Sequence, residues 1–162
     1  MSIHMHFRAV PIEEIQEDFG WLTEFMLAAW DKHSEEYASG ISTSIEPFSH
    51  VNDLFTNGSD GGEDPGERST LPIYGGRHIE DPNHVDLGFL ILDPNQVHAA
   101  AEFLQTAFDS LWKAAGAQLY GRINGWNDAQ MKNFYLPYYL DLQAFYQRAA
   151  SAGHAMIKVV WA

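Results

Sequence analysis

The chain has 162 residues, 22 of them acidic and 9 basic, for a formal charge of −13, with eight His and no Cys. That length suits one domain with a sizeable core, and 46% apolar content with 14% aromatics excludes a disordered chain. Without Cys there is no disulfide, thiolate metal site or Cys nucleophile, and the negative charge disfavours nucleic acid and anionic lipid surfaces as partners.

No stretch approaches the roughly 20 apolar residues of a membrane span, and no basic segment followed by an apolar run opens the chain. A cytoplasmic protein with no membrane partner is the plain expectation. The excess negative charge favours basic proteins or cations as partners, or simply serves solubility.

Ile3–Val10 alternates, with Ile3, Met5, Phe7 and Ala9 on one side and His4, His6 and Arg8 on the other. Period two with one apolar face predicts a half-buried strand. Pro11 then suits a first helical position, and Ile15, Phe19, Leu22, Met26, Ala29, Trp30 and His33 recur at helical spacing. A helix to about Tyr37 is expected, weakened or kinked at Gly20, with Glu17, Asp18, Glu24, Asp31, Glu35 and Glu36 on a solvated acidic face.

Between Ser39 and Thr70 the pattern supports only a short helix after Pro47, within Ile45–Phe55. Asn57–Arg68 reads as a mobile, acidic Gly/Asp/Pro-rich surface loop inside a single domain spanning 1–162. Leu71–Tyr74 suggests a brief extended piece, and Val85–Leu92 a buried strand containing Gly88. Asp93-Pro94-Asn95-Gln96 carries a capping-box signature for a helix whose apolar face runs from Val97 to Leu111 and which Gly116 ends.

Asn124-Gly125 is a turn pair, and Asn127 with Gln130 again resembles a cap and its partner, before a helix that Pro137 interrupts. The last helix buries Leu142, Phe145, Tyr146 and Ala149, Gly153 stops it, and His154–Trp161 closes as a strand. These elements predict an α+β fold. Its mixed β-sheet includes the N- and C-terminal strands as neighbours, with long amphipathic helices packed on it.

Five segments together resemble the YfbM-like family of small bacterial proteins of unknown function, domain of unknown function family 1877. They are Ile3–Val10, FSHVNDLFTNG (Phe48–Gly58), LPIYGGRHIE (Leu71–Glu80), GFLILDPNQVHAAAEFL (Gly88–Leu104) and LDLQAFYQRAASAGHAMIKVV (Leu140–Val160). The resemblance implies an α+β domain and brings no catalytic residue with it, and Asn57–Arg68 is longer than the connection it implies.

Among chemically suggestive residues, His78, Asp81, His84 and Asp86 are the densest set of metal-type ligands. Imidazoles with carboxylates suit a divalent ion, but the spacing matches no established ligand motif, and a polar turn entering a strand explains them equally. His4 and His6 share a strand face at a separation of about 7 Å, within reach of one ion. Arg8 beside them makes a cation awkward, and a polar face under a helix is the plainer account.

His50 lies in a resembling segment and is a candidate for a general acid or base, with a satisfied core histidine as the alternative. Tyr74-Gly75-Gly76-Arg77 offers amides and a guanidinium to an anion, but lacks the P-loop pattern and reads as well as a tight turn. Trp126, Phe134, Tyr135, Tyr138 and Tyr139 form an aromatic approach to the last helix, either a binding wall or core packing. Tyr74, Arg77, Trp126 and Tyr135 are therefore the candidate binding residues.

No Ser–His–Asp, HExxH or GxSxG signature is present. The leading expectation is a soluble acidic binding or interaction domain for a basic protein partner, inhibitor- or immunity-like by analogy. Its rival is a small, metal-dependent enzyme around His50, His78 and His84. No cofactor is evident beyond that divalent ion.

Overall fold

The computed structural model describes residues 2–57, 67–85, 87–119 and 125–162. The loop expected over Asn57–Arg68 lies outside the described residues from 58 to 66, as do Asp86 and Asn124 of the expected turn pair. Strand β1 (His4–Val10) is followed by a short 3-10 turn (Ile12–Glu14), helices α1 (Phe19–Asp31) and α2 (His33–Ser39), strand β2 (Ser42–Ile45) and helix α3 (Phe48–Thr56). Strands β3 (Arg77–Ile79) and β4 (Phe89–Leu92) precede helices α4 (Pro94–Phe103), α5 (Phe108–Leu119) and α6 (Asp128–Ser151), and β5 (Ala155–Trp161) closes the chain.

The five strands form one sheet in the order β2-β1-β5-β4-β3, with the first and last strands of the chain side by side over seven residue pairs. Every pairing is antiparallel, so the sheet is not mixed. Alternating apolar residues identify a strand but not its direction, which depends on where the intervening helices deliver the chain.

Period two divides the side chains between two cores. Met5, Phe7, Ala9, Leu92 and Met156 pack on one face with α3, α4, α5 and α6. Val10, Phe89, Ile91, Ile157 and Val159 pack on the other against Leu22 and Met26 of α1. The polar residues of β1 therefore lie under α1 and α2. β5 sits mid-sheet and is buried from Ala155 to Val159.

The local caps form as the sequence indicates. Asp93 and Gln96 close a capping box on α4, and Asn127 and Gln130 close one on α6. At the end of α6, Gly153 has φ +68 and its N–H bonds to Ala150, while the His154 N–H bonds to Ala149. That is the Schellman arrangement, which favours a residue without Cβ.

Helix lengths differ from the sequence expectation. The helix expected from Pro11 begins only at Phe19, because the Asp18 side chain accepts from the Trp21 N–H at 2.8 Å and caps it there. The same helix breaks at Lys32, and Gly20 lies in its first turn. The helix after Asp93 breaks at Leu104–Ala107, and α5 runs through Gly116. Pro137 sits inside α6 without ending it, since packing of Tyr135, Tyr139 and Leu142 outweighs one lost backbone bond.

The middle of the chain differs most. Residues 68–74 form successive turns, β2 and β3 are additional short strands, and β4 is only four residues long. Val85 and Leu87, expected in a buried strand, are 82% and 71% exposed. Among the described residues no helix is long and apolar enough to cross a membrane.

Candidate functional site

At one end of the sheet the helices leave part of the larger-core face uncovered, and a cleft of about 580 Å³ opens there. Its floor is Met5 of β1, Leu90 of β4, and Lys158 and Val160 of β5. These share one face, because Leu90 pairs with Lys158 and Met5 with Val160 in the ladder. Tyr74 and Gly76 form one wall, and His78, Leu87 and Gly88 the other.

The second wall depends on a close approach of two segments of the chain. Gly88 has φ +79, and a Cβ there would lie 2.3 Å from the Ile79 carbonyl oxygen and 2.9 Å from His78 Nε2. Only glycine accepts both the left-handed backbone and that proximity. His78 Nε2 meets the Leu87 carbonyl oxygen at 2.7 Å. A carbonyl only accepts, so Nε2 carries the proton, and a neutral His78 presents a bare Nδ1.

Lys158 is fully buried, and its Nζ donates to the carbonyls of Leu71, Ile73 and Gly75, each at 2.8 Å. Burial pulls its pKa well below 10.5. The three acceptors oppose that pull. A neutral amine has two N–H groups and would turn its lone pair on the third carbonyl, so the geometry requires an ammonium. The same carbonyls hold the turns of residues 68–74 over the sheet, helped by Tyr146, whose hydroxyl donates to the Pro72 carbonyl at 2.7 Å.

The structure brings Tyr74, Arg77 and His78 to this cleft. The Arg77 guanidinium is committed elsewhere, bonding Glu17 and lying 3.4 Å from Asp93. Tyr74 is half-buried, packs edge-on against Phe48, and has a pKa raised by desolvation and then by Asp53. It is a neutral phenol.

Three of the four metal-type residues are described, and they form no ligand group. Asp81 accepts from the Asn83 and Val85 N–H groups at 2.9 Å, one oxygen each, as the turn reading requires. His78 bonds Leu87, His84 is exposed with φ 54, and Asp86 lies outside the described residues. Among the described residues no three His, Asp or Glu side chains are placed to hold a metal ion.

His50, Tyr135 and Trp126 do not line the cleft. His50 Nδ1 is 2.8 Å from the hydroxyl of fully buried Tyr135, which ties α3 to α6. Trp126 is 38% exposed and packs edge-on against Phe134. The aromatic approach is thus mostly core at Tyr135 and Tyr139, with Trp126 at its margin.

A second polar cluster lies beneath α1 and α2. Arg8 bonds Glu36 at 2.7 Å and the Phe25 carbonyl at 3.2 Å, with its guanidinium 4.0 Å above the Phe25 ring. The second Glu36 oxygen accepts from Ser42. His4 stacks on Trp30 at 4.7 Å, and His6 is fully buried between Trp30 and Tyr37. Trp161 Nε1 donates to His6 Nδ1 at 3.4 Å, which assigns the proton to Nε2, where it meets no acceptor among the described residues. Burial, then His4, Arg8 and His33, push the His6 pKa down to about 4. This face is covered, not a surface site.

Sequence reasoning passed over Lys158, Leu87, Leu90 and Val160. One signal was present: a lone lysine inside the apolar run MIKVVW. A buried lysine needs partners, so that residue alone implied a set of acceptors above the strand.

The model of the family described as "Domain of unknown function (DUF1877)" matches residues 1–159. The chain belongs to the DUF1877 family. The family resemblance seen in the five segments thus extends over nearly the whole chain. YfbM from Escherichia coli, described as a protein of unknown function, has a similar crystal structure. The TM-score is 0.60 at 13% identity, covering 98% of this chain and 99% of that one. At that identity the likeness concerns the fold alone. No curated protein matches the chain.

Proposed function

We propose that the protein is a binding domain whose ligand site is the cleft over Met5, Leu90 and Val160. One observation carries this reading: in a chain of charge −13, the cleft has an apolar floor and, among the described residues, no carboxylate lines it. Its volume of about 580 Å³ suits a small organic molecule. Leu87 stands exposed at its wall, where an apolar ligand would cover it.

Binding of the neutral apolar dye Nile red tests the reading. Saturable binding at one site per chain is expected, with loss of affinity in Leu87→Glu, whose exposed position leaves folding intact. Dye binding unchanged by that substitution would place the apolar site elsewhere.

A second reading, a basic protein partner, is favoured by the exposed Glu24, Asp31 and Glu35 on α1 and α2. Affinity for a cationic partner that does not fall as salt is raised would remove it. The rival of a metal-dependent enzyme at His50, His78 and His84 has less support, because His50 pairs with Tyr135 and does not line the cleft that His78 lines.

A further inference from the structure

The cleft combines an apolar surface with an unusual charge. Lys158 lines it, and three carbonyls take all of its N–H groups. No carboxylate lies within ion-pair distance of Nζ among the described residues. Carbonyl dipoles hold the proton but do not cancel the charge, so a positive potential extends into a low-dielectric hollow.

Of the surrounding groups, Asp53 acts on Tyr74 from outside the lining and opposes that sign at one wall. Among the described residues no acidic side chain lines the cleft. Tyr74, kept as a phenol, supplies an O–H, and His78 carries no negative charge in either protonation state. An amine would enter an apolar site facing an ammonium with no counter-ion, and a neutral molecule would leave the potential unused.

We propose that the cleft selects a small amphipathic monocarboxylate, its apolar body on Met5, Leu90 and Val160 and its carboxylate within the field of Lys158. This rests on the reading of the cleft as the ligand site. The selectivity comes from a charge under the floor and not from a salt bridge, because every Lys158 N–H is already used.

The test is a matched series of ten-carbon probes, decanoate, decanol and decylamine, each below its micelle concentration. Displacement of Nile red from the wild-type protein reports binding, with Leu87→Glu as the site control. Decanoate is expected to bind at least about tenfold more tightly than decanol, with decylamine weakest, as a Coulombic contribution in low dielectric requires. Equal binding of decanoate and decanol, or preference for decylamine, overturns the anion inference while leaving the cleft a ligand site. Failure of Nile red and all three probes to bind overturns both.

Discussion

Lys158 and Gly75, 83 positions apart, are joined by a 2.8 Å hydrogen bond from the Lys158 ammonium to the Gly75 carbonyl. Leu71 and Ile73 accept from the same nitrogen, so one side chain of the central strand fixes a segment that has no regular structure of its own. That segment supplies a wall of the cleft through Tyr74 and Gly76. Folding and site formation are therefore linked at Lys158.

Replacing Lys158 by Met keeps the apolar stem and removes all three donors. Three buried carbonyls then lose their partner, and a loss of at least about 3 kcal/mol is expected. Urea denaturation measures it. A loss below about 1 kcal/mol would mean that the carbonyls find other donors, and that Lys158 does not hold the turns.

Stability should also depend on His6. Its folded-state pKa is about 4 against an ordinary 6.5, so between these values the unfolded chain binds the extra proton. The contribution is complete above 6.5 and is lost as pH falls through the interval to 4, by up to about 3 kcal/mol. The imidazolium would lie beside Arg8, His4 and His33, while Glu36 is already bonded to Arg8. His6→Leu should lose less stability than wild type over this range. Parallel stability curves for the two proteins would show that His6 titrates alike in both states.

At Gly88 an added methyl meets the Ile79 carbonyl, and the backbone is left-handed. Gly88→Ala should cost about 2 kcal/mol and displace the His78–Leu87 wall, weakening Nile red binding. Wild-type affinity in a folded Gly88→Ala protein would disconnect that wall from the site.

Glu36 joins α2 to β1 through Arg8 and reaches β2 through Ser42. Both side chains are mostly buried, at 10% and 19% exposure. Glu36→Gln leaves the Arg8 charge with a carbonyl and a ring, and a loss of about 2 kcal/mol is expected after allowing for partial solvation. A double-mutant cycle with Arg8→Met isolates the pair, and a coupling energy near zero would assign the loss to packing instead.

How much was legible follows from how far each interaction reaches along the chain. Asp93 with Gln96 and Asn127 with Gln130 are three residues apart, so their caps are visible in the sequence. Asp18 was equally local, but the apolar spacing through Ile15 masked its cap. Val85 and Leu87 looked like strand residues because composition cannot say whether a neighbouring strand is present to bury them. At the site, Tyr74, Arg77 and His78 were found from one contiguous stretch, whereas Met5, Leu90 and Val160 join it only through the ladder.

By itself the sequence determined the periodic faces of β1 and α6, the helix stop at Gly153, and the acidic surface. Each follows from backbone geometry or charge within a few residues. Tertiary structure alone decided the antiparallel direction of the strands, the burial of His6 under Trp30, and the meeting of Lys158 with three carbonyls more than 80 positions away. Those depend on which surfaces exclude water together, a property of the packed chain and not of any local stretch.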